Sequence, residues 1–177
     1  MERDWYVVVG TGTCPECGLD VAAPPIEGLG AALVAEADAW SELLAARPDA
    51  ALRRRPSPSG WSALECACHV RDVLGNFADR TELVLAEDDP TFGWWDHEAA
   101  VDDERYGEQD PAVVADELVD AAARLDDVLA GVADGEWSRS GVRRPGERFT
   151  VDGLARFALH EAHHHRRDAE LALAPRT

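Results

Sequence analysis

Four of the six histidines fall within His160-Glu161-Ala162-His163-His164-His165. His160 and His164 are spaced so that on a helix their rings leave one face a turn apart, where two imidazoles can share a metal ion. Phe157 and Leu171 flank them on the same stripe, which suits an inward-facing surface. A solvated polar helix end is the competing reading of the cluster. A third ligand would decide between them. His69 shares a stripe with Glu65, Val73 and Phe77. Taken alone, such a histidine is a core residue bonded to a backbone or carboxylate partner. Taken with His160 and His164, it completes three imidazoles converging inside a bundle, with positions left open for water or substrate. His97 reads as a surface residue or the rim of a pocket.

The four cysteines form two close pairs, Cys14 with Cys17 and Cys66 with Cys68. Cys14-Pro-Glu-Cys17-Gly18 has the form of a zinc knuckle, in which two thiolates grip an ion and the glycine permits the tight turn. One knuckle supplies half a tetrahedral site. Cys68 lies about 100° round the helix from His69, so the two do not naturally serve one ion. A second, structural site of Cys14, Cys17 and Cys68, with His165 as a further ligand, would staple the front of the chain to the helices. A redox pair is the weaker reading of the knuckle, because no βαβ pattern surrounds it. Cys66 reads as a small core residue with an inert thiol.

Helices must bring these residues together. After Pro24-Pro25, apolar residues recur at helical spacing from Leu29 to Leu44 until Arg47-Pro48 stops them. Ser62-x-x-Glu65 has the form of a capping box opening a second helix to about Leu85. Asp110-Pro111 opens a third, and Thr150 caps a fourth from Val151 to about Ala172. Residues 88–110 and 133–149 read as irregular connections, with no convincing strand. The fold class expected is all-α: a four-helix bundle over residues 25–173, preceded by a short cysteine-containing arm over residues 1–24, in a single domain.

Composition narrows the partners. The 177 residues carry 17 basic side chains, all arginine, against 35 acidic ones, a formal net charge of -18. Such a surface repels phosphate backbones, so nucleic acid is excluded as a partner. Val7-Val8-Val9 is far shorter than a signal-peptide core and no stretch suits a membrane, so a cytoplasmic protein is expected.

With these residues placed, the sequence resembles the DinB-like superfamily, metal-binding four-helix bundles with one histidine in the second helix and an H-x-x-x-H pair in the last. The matching residues are His69 in Glu65-Cys-Ala-Cys-His69-Val-Arg-Asp72, His160 with His164, and the Arg105-Tyr-Gly-Glu-Gln-Asp-Pro111 entry to the third helix. The resemblance is closest to a subgroup with an N-terminal Cys-Pro-Glu-Cys-Gly segment. It implies a divalent metal, zinc or nickel, held by His69, His160 and His164. The extra His163 and His165, and the cysteine-rich front end, depart from the simplest family pattern. Since the family includes mycothiol-dependent maleylpyruvate isomerase and bacillithiol S-transferases, the resemblance also implies a small-molecule, thiol-dependent S-transferase or isomerase. A low-molecular-weight thiol such as mycothiol would be the nucleophile, and a homodimer is in keeping with the family.

Glu161 and Asp168 could orient ligand rings, or could be solvated acids. Arg71, Arg80, Arg166 and Arg167 could recognise a carboxylate on the thiol or the substrate. Trp94 and Trp95 could wall a pocket or cap a core. Two further functions stand beside thiol transfer: metal-dependent hydrolysis, in which the same site activates water, and a non-catalytic binding module stabilised by metal.

Overall fold

The computed structural model describes residues 12–174. The first eleven residues of the arm expected over residues 1–24 lie outside the described residues. Six helices follow in order: α1 (Leu29–Ala45), the short α2 (Asp49–Leu52), α3 (Ala63–Ala86), α4 (His97–Asp103), α5 (Pro111–Ala130) and α6 (Val151–Leu173). The long ones, α1, α3, α5 and α6, are the four expected from the periodicity, and their starts follow the expected caps. At α3, Ser62 Oγ accepts the Glu65 N–H while Glu65 Oε2 accepts the Ser62 N–H, satisfying two otherwise unpaired donors. Asp110 accepts the Ala112 N–H at α5, and Thr150 the Gly153 N–H at α6.

The four long helices pack as a four-helix bundle in which α5 and α6 each lie against both α1 and α3. Helix α6 therefore runs between α1 and α3 and presents a different face to each. Leu33, Trp40, Leu64, Leu74, Leu118, Leu125 and Leu154 are fully buried between the helices. Trp40 of α1 donates its indole N–H to the Ala162 carbonyl of α6 at 2.9 Å, giving the one polar atom of that large side chain a partner.

The connection before α6 departs from the sequence expectation, because β1 (Ser140–Arg144) and β2 (Glu147–Thr150) form an antiparallel hairpin there. Its turn is made by Pro145 and Gly146, and Gly146 has φ +89. The alternation is hard to read because Glu147 points inward and is buried against Arg143 and Arg144. Residues 90–92 pair alongside: the Phe92 N–H donates to Val142 O, and the Val142 N–H to Pro90 O, both at 2.8 Å. Phe149 stacks on Phe157 of α6 at 5.7 Å between centroids, so the hairpin braces the helix that carries the histidines.

Candidate metal centres on helix α6

The front of the described chain is a tight turn. The Cys14 N–H donates to Leu19 O and the Gly18 N–H to Cys14 O, while Gly18 takes φ +78, a conformation that suits glycine. Arg156 of α6 clasps the segment that follows, donating to Val21 O at 2.6 Å and Pro24 O at 3.0 Å. Cys14 and Cys17 are thereby laid on α6, and their sulfurs come within 4.8 Å of ring nitrogens of His160 and His164. Cys14, His160 and His164 are buried.

A second cluster forms one residue further along the same helix. Glu161 and His165 face α3, where a ligand atom of His69 joins theirs within 4.8 Å. His69 Nε2 is 3.3 Å from Glu161 Oε2, and His165 Nε2 is 3.5 Å from the same oxygen. The other oxygen, Oε1, is 3.4 Å from His160 Nδ1, so the Glu161 carboxylate stands between the clusters. Burial would raise the Glu161 pKa, but His160, His165 and His69 around it hold it well below the usual carboxylate range. Burial pushes His69 down to about 4 against the opposing pull of Glu161, which leaves the ring neutral at pH 7. His165 goes the other way: burial is outweighed by Asp168, Cys66 and Glu161, and its pKa is raised well above the ordinary value.

The expected ligand sets are therefore regrouped. His160 and His164 stay together but face the knuckle, whereas His69 faces Glu161 and His165. The reason is helical: neighbouring residues differ by about 100°, so the pairs 160/164 and 161/165 open on different neighbours. His165, expected with the knuckle, belongs to the His69 cluster. Cys68 is directed away from both, towards Tyr106 O at 3.8 Å and Gln109 Oε1 at 3.6 Å. Burial pushes its thiol up to about 12, which makes it a neutral core group. His163 turns to α1 and meets Glu36 at 2.8 Å.

Trp61, not singled out in the sequence, closes over the second cluster, 5.0 Å from the His69 ring and 5.7 Å from that of His165. Trp95 stacks on His69 at 5.8 Å, and His97 is 5.7 Å away. Trp94, by contrast, is 70% exposed. A cleft of about 670 Å³ opens beside the cluster, with Trp61, Cys66, His165, Asp168, Ser59 and Glu98 in its walls. The arginines considered for carboxylate recognition are engaged elsewhere. Arg71 pairs with Asp72 and Glu117, Arg166 with Glu36 and Glu170, and Arg167 with Glu170, while Arg80 lies over Phe77 and Phe92.

Residues 32–169 match the model of the DinB superfamily. The chain belongs to that superfamily. Among solved structures, YfiT from Bacillus subtilis is similar, with a TM-score of 0.78 at 18% identity over 83% of this chain and 85% of that one. YfiT is described as a probable metal-dependent hydrolase with an unusual four-helix bundle topology. At that identity the likeness is one of fold. No curated protein matches the chain. Among the described residues, no helix is long and apolar enough to cross a membrane.

Proposed function

We propose that the chain is a metal-dependent enzyme acting on a small molecule, of the hydrolase type, with its divalent ion at His69, Glu161 and His165. The observation that carries this reading is the gathering of two imidazoles and one carboxylate, with ligand atoms within 4.8 Å, beside an open cleft. The residues suit such an ion. Two histidines and a glutamate are a donor set used by hydrolytic zinc sites, which keep a further position open. His69 is held in the neutral form that ligates, whereas His165, raised by Asp168, Cys66 and Glu161, must give up its proton as the ion binds, so metal uptake at this site weakens as pH falls. When bound there, the ion would lower the pKa of a water or thiol at the open position towards neutrality. Trp61 and Trp95 shield the cluster from bulk water and offer apolar walls to a substrate. Ser59, Glu98 and Asp168 supply the polar contacts of the cleft. Among the described residues no arginine lines the cleft, which favours a neutral or cationic substrate over an anionic one.

Thiol transfer, the reading implied by the family resemblance, uses the same open position. A thiol without an anionic group, such as mycothiol, would meet the same arginine-free walls. The two are separated by assaying zinc- and nickel-loaded full-length protein against a panel of uncharged and cationic esters, amides and electrophiles, with and without mycothiol. Turnover without thiol supports hydrolysis, and turnover only with thiol moves the assignment to transfer. In either case His69→Ala and Glu161→Gln are expected to lower kcat/KM by about 100-fold or more, as loss of ligands does. Full activity and unchanged metal content in both variants would overturn the site. No turnover under any condition would leave a metal-stabilised binding module.

A further inference from the structure

We infer that Cys14, Cys17, His160 and His164 form a second, closed zinc site, structural in role and separate from the open one. Four soft or borderline donors converge: two sulfurs and two ring nitrogens, all within 4.8 Å of one another. Cys14 Sγ and His164 Nδ1 are 3.8 Å apart. Tetrahedral bonds of about 2.3 Å to sulfur and 2.0 Å to nitrogen place a sulfur and a nitrogen roughly 3.5 Å from one another, so Cys14 Sγ and His164 Nδ1 lie within a few tenths of an ångström of the spacing of two donors on one ion. The donor types and their number exhaust the coordination shell, which distinguishes this set from the open triad beside it.

The backbone around the sulfurs is arranged for the same purpose. N–H groups of Glu16 and Cys17 are directed at the Cys14 sulfur, as suits a thiolate bound to an ion. The turn that makes this possible needs the positive φ of Gly18 and is closed by the Thr13–Asp20 bridge. The histidines are oriented by carboxylates. His164 Nε2 lies 3.4 Å from Asp168 Oδ2, leaving Nδ1 towards Cys14, and His160 Nδ1 lies 3.4 Å from Glu161 Oε1. Imidazole ligands commonly hold their second nitrogen in this way. The arm has few apolar anchors: Cys14 and Val21 are its buried apolar residues among those described before α1. Burying the Cys14 thiol and two imidazoles, with Cys17 half-buried beside them, beneath so thin a cover costs free energy that an ion would offset. The site therefore staples the knuckle to the middle of α6, one residue from Glu161.

The test is metal content and cobalt spectroscopy on the untagged full-length chain, wild type, Cys17→Ser and His69→Ala. The expected wild-type result is about two zinc equivalents per chain, and substitution with cobalt(II) should give the thiolate-to-cobalt absorption of a tetrahedral site. Cys17→Ser should lose that band and about one equivalent, while His69→Ala keeps the band and loses the other. Because His69→Ala reports on the open site alone, failure of the catalytic reading and failure of this one are distinguishable. Should Cys17→Ser not fold, cobalt(II) titration of chelator-stripped wild type reads the same band directly. Its absence there, a band that survives Cys17→Ser, or a Cys14–Cys17 disulfide in freshly isolated protein would overturn the assignment.

Discussion

Glu65 shows how much a single side chain can carry in this protein. It completes the cap of α3 and is the buried partner of Arg55, whose Nη2 lies 2.5 Å from Oε1. Burial would raise its pKa, but Arg55 and the Ser62 donors hold it below the ordinary 4.5. A depressed folded-state pKa contributes stability above the unfolded value and loses it as pH falls through the folded one. Glu65→Gln is therefore expected to cost about 1–3 kcal/mol at pH 7, and the difference from wild type should shrink below about pH 4. Urea unfolding at pH 7 and pH 3 measures both. Trp40 offers a second check: Trp40→Phe removes the donor to Ala162 O as well as buried area, an expected loss of about 1–3 kcal/mol in the same assay.

At the scale of elements, the hairpin matters through what it touches. A Cβ on Gly141 would lie 2.5 Å from the buried Phe92 ring and 3.0 Å from Pro90 O. Backbone on one side and a packed aromatic on the other leave little room to yield. Gly141→Ala is expected to destabilise by about 1–3 kcal/mol, read as a lowered unfolding midpoint, without loss of metal. The hairpin was hard to read because its inward positions include a glycine and a glutamate, so the usual apolar alternation is broken. The long helices were legible because their caps and apolar spacing agree, as at Ser62, Asp110 and Thr150.

For the whole molecule, a net charge of -18 means that the compact state works against its own field. Raising sodium chloride from about 0.02 to 0.3 M should therefore raise the urea midpoint, since screening relieves long-range repulsion more than it weakens close ion pairs. A flat or falling midpoint would show that the surface pairs, such as Arg124 with Asp79 and Glu82, outweigh the net field. Chelation acts at the same scale. Stripping the ions proposed for the two sites should lower the melting temperature more than His69→Ala does, because the knuckle is then released as well.

Local information alone determined the four long helices, their caps and the clustering of residues able to ligate a metal on the last helix. Periodicity, capping and donor type are properties of neighbouring residues, and neighbouring residues are what a sequence displays. Which of these donors lie close enough together to share an ion was decided only in the tertiary structure. His160 and Glu161 each begin an i, i+4 pair, and no local rule says which pair faces α3 and which faces the knuckle. That choice follows from α6 lying between α1 and α3 and from Arg156 drawing the arm onto it, contacts such as His69 with Glu161 and Arg156 with Val21 that join residues 92 and 135 apart in the chain.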